Sequence, residues 1–292
     1  MNRRDFVRTA TTGLAGSLLY AHAGSIRTAS AQPSTGSRFK TAVKLHMVDE
    51  DISLVDKFRM LQEIGYDGVE SRTPDDAQLQ ELQDARAATG LPVHGLIHPD
   101  PELASGAADV RAAAVDRLTD ALDKAHSLET TTVLLVPASM DENSSYVDIY
   151  HRSQDSIREA LPAAREHGVK IALENVTNRF LYSPMEFARY IDELESPWVG
   201  SYFDTGNVIG FGYPQDWIRT LGDRIVKLDI KDRYWGDAGR ELNLGEGDVN
   251  WSAVQEALAE IGFQGWTTAE VRGGDRQRLA QVYELMNQVL GI

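Results

Sequence analysis

From about Thr41 onward, short apolar runs alternate with longer amphipathic stretches. The apolar runs fall at residues 42–47, 68–71, 92–97, 132–136, 170–174, 199–203, 225–230 and 266–271. Each is brief and rich in Val, Ile, Leu or Thr, the pattern of parallel strands covered on both faces. Between them, apolar residues recur at helical spacing. Leu54, Val55, Phe58, Leu61 and Ile64 do so behind Ser53, as do Val110, Ala113, Ala114, Leu118, Ala121 and Leu122, and later Val254, Leu258 and Ile261. Gly65, Gly168 and Gly262 stand just past helix ends, where a left-handed residue is needed. Eight strand-then-helix units in roughly 250 residues predict an α/β fold closed into a parallel (β/α)₈ barrel, the TIM-barrel architecture. A doubly wound open sheet would carry a glycine-rich turn after its first strand. Val48-Asp49-Glu50-Asp51 stands there instead.

The segment before the first strand has a different character. Arg3-Arg4 is followed by Asp5-Phe6-Val7 and by a weakly apolar stretch from Ala10 to Ala23. That pattern predicts a twin-arginine export signal over residues 1–31, cleaved after Ala29-Ser30-Ala31, then a linker over 32–40 and a single barrel domain over 41–292. A periplasmic or secreted protein follows. The stretch is too short and too interrupted to span a bilayer permanently.

Composition narrows the chemistry. The 292 residues contain no cysteine, which excludes disulfides, thiolate metal sites and a cysteine nucleophile. The net charge is -15, and the signal segment takes Arg3, Arg4, Arg8 and Arg27 with it against Asp5, leaving about -18 on the remainder. Such acidity argues against nucleic acid, and against an anionic membrane once the signal is removed, because phosphate binding needs clustered Lys and Arg.

Barrel enzymes place their chemistry at the C-terminal ends of the strands. Strands five to eight end in Leu173-Glu174-Asn175, Phe203-Asp204-Thr205-Gly206-Asn207, Asp229-Ile230-Lys231-Asp232-Arg233 and Ala269-Glu270-Val271. Glu174, Asp204, Asp229 and Glu270 thus converge on one mouth. Taken singly, each acid is as well explained by a helix cap or an ion pair. Four on adjacent strands would repel unless they protonate or share a cation, and oxygen-only ligation suits Mg²⁺ or Mn²⁺. His46 at the end of strand one and His98 at the end of strand three are either substrate contacts or packing residues. Glu70 is placed at the end of strand two, and His94 and His98 flank the end of strand three. Lys231 shares the face of Asp229, and with Arg233 it could neutralise the cluster or bind a substrate oxygen. Residues 245–251 read as a tight turn into the seventh helix, capped by Asn250 or Ser252. Trp235 and Phe211 are candidates to stack on a sugar or to pack in place.

These motifs, with Gly-Glu-Gly-Asp-Val-Asn-Trp at 245–251 and Gly65-Tyr66-Asp67-Gly68-Val69-Glu70 early in the chain, resemble the sugar phosphate isomerase/epimerase group. That group belongs to the xylose-isomerase-like barrel superfamily, together with ketose 3-epimerases, hydroxypyruvate isomerases and endonuclease IV. The resemblance runs from about Thr41 to the C-terminus. It implies a divalent metal held by Glu, Asp, His and Glu from the last four strands, matching Glu174, Asp204 and Glu270. Asp229 stands where that group has the His of a His-x-Lys-Asp run, and Asn207 stands where it often has a substrate-contacting His. The implied activity is a metal-dependent sugar isomerase or epimerase. Glu174 and Glu270 move a proton alpha to a carbonyl through an enediolate, and His46, His98, Asn207, Lys231 and Arg233 contact the carbohydrate. A lyase or hydratase acting on 3-keto-glycosides and a non-catalytic periplasmic sugar-binding protein are the alternatives. A homo-oligomer is compatible with all of them.

Overall fold

The computed structural model describes residues 38–236 and 242–292. Eight strands run β1 (Phe39–Lys44), β2 (Gly68–Arg72), β3 (Val93–His98), β4 (Thr132–Leu135), β5 (Lys170–Glu174), β6 (Val199–Asp204), β7 (Ile225–Ile230) and β8 (Gly265–Ala269). All neighbours pair in parallel in chain order, and β1 closes on β8. The helices are α1 (Leu54–Ile64), α2 (Asp76–Thr89), α3 (Ala108–Ser127), α4 (Tyr146–His167), α5 (Pro184–Asp192), α6 (Pro214–Leu221), α7 (Trp251–Glu260) and α8 (Arg276–Leu290). The expected closed (β/α)₈ barrel is therefore the fold.

Helix starts follow local chemistry. Ser53, Asp75, Asn250 and Asp275 each accept a first-turn backbone N–H, which satisfies a donor that the helix itself cannot. The main apolar core lies between sheet and helices, with Phe58, Leu61, Leu118, Ile157, Trp217 and Leu258 fully buried. Among the described residues, Leu134, Ala172 and Tyr202 form a second, small apolar cluster with Ile97 and Val226 packed against it. Much of the remaining lumen is polar, and this sets up the site.

Four boundaries differ from the sequence reading in ways that matter. β1 starts at Phe39, inside the stretch expected as a linker, because Phe39 is buried against Phe263 with ring centroids 6.1 Å apart. It ends at Lys44, and Leu45–Met47 turn off as a 3₁₀ segment, so His46 does not end the strand. β8 stops at Ala269, yet Glu270 stays tied to the sheet through its N–H to Ile230 O at 3.1 Å. β3 carries an extra residue, His94, between the pairs Val69↔Val93 and Glu70↔Gly95. His94 is therefore near the start of β3, and Glu70 is mid-strand in β2 rather than at its end. The proposed signal at 1–31, and residues 32–37 of the linker, lie outside the described residues. Among the described residues, no helix is long and apolar enough to cross a membrane.

Candidate active site

Alternate residues of a strand share a face, so the acids ending β5 to β8 enter the lumen together. Asp204 and Asp229 are register partners across β6 and β7. One carboxylate oxygen from each of Glu174, Asp204, Asp229 and Glu270 lies within 4.8 Å of the others. Asp204 and Asp229 are completely buried, Glu174 nearly so, and Glu270 is half-buried.

The motif residues interlock to hold these acids. Asp204 Oδ1 accepts from Gly206 N at 2.8 Å and Asn207 N at 2.7 Å. Asn175 clasps the Asp204 backbone in both directions at 2.9 Å. Asn207 Nδ2 donates to Glu174 Oε1 at 3.3 Å and to Asn175 O at 3.0 Å. Gly206 is required here, since a Cβ would lie 2.9 Å from Lys231 Cγ. Asn207 thus joins the cluster by orienting Glu174.

Two lysines neutralise part of the charge. Lys231 Nζ donates to Glu270 Oε1 at 2.8 Å and lies 3.7 Å from Asp204 Oδ2. Lys44 Nζ donates to Asp229 Oδ2 at 2.9 Å and to Glu270 Oε2 at 2.8 Å. Sequence reasoning missed Lys44. The available signal was parity: Lys44 lies two residues past Ala42 and four past Lys40 on one face of the strand.

The electrostatics divide the two glutamates. Burial, with the Glu270 and Asp204 charges, pushes the Glu174 carboxyl up to about 8. Burial pushes Asp204 up to about 6 and Asp229 well above the usual carboxylate range. Burial also works to raise Glu270, but Lys44 and Lys231 outweigh it and hold this carboxyl well below its ordinary value. In the absence of a metal, Glu174 is therefore biased toward its neutral form and Glu270 toward its charged form.

Asp204 Oδ2 and Asp229 Oδ1 are buried without a hydrogen-bond donor. With all four carboxylates ionised, Lys44 and Lys231 would balance two of them, leaving the charge that one divalent cation offsets. The donor set fits such an ion, and the cluster could hold one.

The remaining expected contacts are dispersed. His46 is exposed beside the mouth, and burial with the Lys44 charge lowers its pKa. His98 is not brought to the carboxylates. It is buried with Nδ1 3.2 Å from Thr73 Oγ1 and Nε2 3.8 Å from Asp100 Oδ2, because its parity in β3 turns it away from the lumen. Arg233 contributes its backbone to the loop after β7, its O accepting from Asp248 N at 2.9 Å. That loop is organised by buried Asp232, which accepts from Gly245 N at 2.9 Å, Val249 N at 3.2 Å and Trp251 Nε1 at 3.0 Å. Phe211 stacks on Tyr182 at 4.1 Å, while Trp235 is exposed and stacks on Tyr213 at 6.2 Å.

Beneath the acids lies a second polar layer. Lys227 Nζ donates to the His94 carbonyl and lies 2.9 Å from His94 Nδ1. The His94 ring stacks on Trp266 at 4.4 Å and meets Thr268 Oγ1 at 3.1 Å. Gly95 leaves room for this group, since a Cβ would lie 2.6 Å from Glu70 Oε1 and 3.3 Å from Lys227 Nζ. Burial pushes the Lys227 amine down to about 7.

This fold and this constellation define a class, and the family described as xylose isomerase-like TIM barrel matches residues 58–288. The chain belongs to that family. It is 28% identical over 223 residues to an uncharacterized protein of Methanocaldococcus jannaschii, covering 72% of this chain and 75% of that one. It is 25% identical over 248 residues to the 2-oxo-tetronate isomerase of Haemophilus influenzae, covering 80% of this chain and 93% of that enzyme. Among solved structures, a D-tagatose 3-epimerase-like protein superposes with a TM-score of 0.73 at 24% identity, over 86% of this chain and 97% of its own. The IolI protein, solved with a bound zinc atom, superposes with a TM-score of 0.75 at 18% identity, over 86% and 98%. These two structural likenesses concern the fold.

Proposed function

We propose that this protein is a divalent-metal-dependent sugar isomerase or epimerase. The observation that carries the reading is the buried quartet Glu174, Asp204, Asp229 and Glu270, with one oxygen from each inside a 4.8 Å span and two of its oxygens unpartnered. Its relation to a 2-oxo-tetronate isomerase supports the reaction class.

The four carboxylates are the residues that would hold Mn²⁺ or Mg²⁺. When bound, that ion neutralises charge developing on the carbonyl and hydroxyl oxygens of the sugar. One of the two glutamates, Glu174 or Glu270, takes the proton from the carbon alpha to the carbonyl. The electrons of that C–H bond form the enediolate. The other returns one to the neighbouring carbon for isomerisation or to the opposite face for epimerisation. Lys231 keeps Glu270 charged, and Asn207 aims Glu174.

The substrate is read as a free sugar rather than a sugar phosphate. Barrels commonly seat phosphate on the loop after strand eight and the helix that follows. Here Gly274 N donates to Met47 O at 2.9 Å, Arg276 N to Glu50 Oε1 at 2.7 Å and Arg278 N to Asp275 Oδ1 at 2.9 Å, so those donors are already engaged. Residues 1–31 fit this picture as an export leader that places the barrel in the periplasm.

The test is a panel of free ketoses and 3-keto-glycosides with added Mn²⁺ in D₂O, followed by NMR for deuterium alpha to the carbonyl. Exchange by the native protein, abolished in both Glu174→Gln and Glu270→Gln, is the expected result. Full exchange in both variants would refute this mechanism.

A further inference from the structure

Lys44 takes no part in the proton transfers above, yet it sits deepest in their electrostatics. Its ammonium donates to Asp229 Oδ2 at 2.9 Å and Glu270 Oε2 at 2.8 Å, and the side chain is almost wholly buried. Lys231 holds the other Glu270 oxygen at 2.8 Å. Both oxygens of Glu270 are thus engaged by ammonium groups. Within the quartet, the buried oxygens left without a donor are Asp204 Oδ2 and Asp229 Oδ1. Asn207 restrains Glu174 through one oxygen only.

A divalent ion attracted to this quartet therefore meets a positive charge already seated on two of its four members. Like charges this close repel strongly where water is excluded. The β1 backbone fixes Lys44 on the lumen face, so it withdraws only by breaking both contacts.

We propose that Lys44 is a resident cation that competes with the divalent ion for Asp229 and Glu270. Glu174, Asp204, Asp229 and Glu270 would then hold the ion only at the expense of the Lys44 contacts, which would loosen its binding. This deepens, and rests on, the reading of the four acids as a metal site.

The experiment measures Mn²⁺ affinity by the EPR signal of free Mn²⁺ on the full-length protein. The native chain, Lys44→Met and Lys44→Arg are compared, with circular dichroism confirming the fold. Competition predicts that Lys44→Met binds Mn²⁺ at least about tenfold more tightly and that Lys44→Arg returns toward the native affinity. Equal or weaker binding by Lys44→Met overturns the proposal and assigns Lys44 to holding the carboxylates in place. If Lys44→Met binds Mn²⁺ and the native chain does not, competition stands and the metal-dependent reaction falls. If neither binds, both fall. A readout on the native protein needs no core variant, since the ¹⁵Nζ resonance of Lys44 should move or broaden as Mg²⁺ is added. An unchanged Lys44 resonance at saturating Mg²⁺ overturns the proposal.

Discussion

Glu174 should make the metal-free protein respond to pH in a way that a single substitution can isolate. Its carboxyl is pushed up to about 8 by burial and by Glu270 and Asp204, against an ordinary value of 4.5. Between those two values the folded chain keeps a proton that the unfolded chain has released. A carboxyl raised in this way stabilises the fold less and less as pH rises through the window. Each pH unit is worth about 1.4 kcal/mol, so the whole window carries about 5 kcal/mol. Glu174→Gln replaces the neutral acid with a near-isostere that still accepts from Asn207 and cannot ionise. His46, His94 and His98, whose lowered pKa values act with the opposite sign below pH 6.5, are common to both proteins and cancel in the difference. In EDTA the two proteins should be about equally stable at pH 5. At pH 8.5 the variant should be the more stable by about 3–5 kcal/mol. Added Mn²⁺ should reverse the order, stabilising the native protein and leaving Glu174→Gln nearly unchanged. Urea denaturation followed by circular dichroism at both pH values, with and without Mn²⁺, measures all four quantities. If the stability difference in EDTA moves by less than about 1 kcal/mol between pH 5 and 8.5, the Glu174 carboxyl is not held above its ordinary range by burial and its acidic neighbours.

Two further expectations concern the frame of the site. Asp232→Ala strands the N–H groups of Gly245, Val249 and Trp251 and should destabilise the protein by about 3–5 kcal/mol, with Asp232→Asn intermediate. A loss below about 1 kcal/mol in urea would show that this loop is organised by other contacts. Gly95→Ala drives a methyl into the Glu70 carboxylate and should lower stability by about 1–3 kcal/mol, read as a reduced midpoint at unchanged denaturant slope. An unchanged midpoint would mean that the polar layer has room to spare.

Strand parity decided what was legible in the chain and what was not. Glu174, Asp204 and Asp229 stand on short, strongly apolar strands, and Glu270 lies one residue past the last, so their convergence could be argued before any coordinates. The closed barrel was equally legible, since strands buried on both faces and amphipathic helices repeat eight times. The Asn250 cap and the glycines past the helix ends follow from backbone chemistry confined to a few neighbours.

The amino-acid sequence determined the barrel, the strand order and the four acids, because these depend on period and local propensity. Only the tertiary structure decided which charges meet. A shift of the β1 boundary from Met47 to Lys44 replaced an expected histidine with a lysine at the heart of the site. The extra residue in β3 sent His94 into the lumen floor, and the parity of the same strand turned His98 outward. A side chain's face reverses with each residue along a strand, so an error of one position in an end or a bulge exchanges lumen for core, and pairing across strands fixes that position.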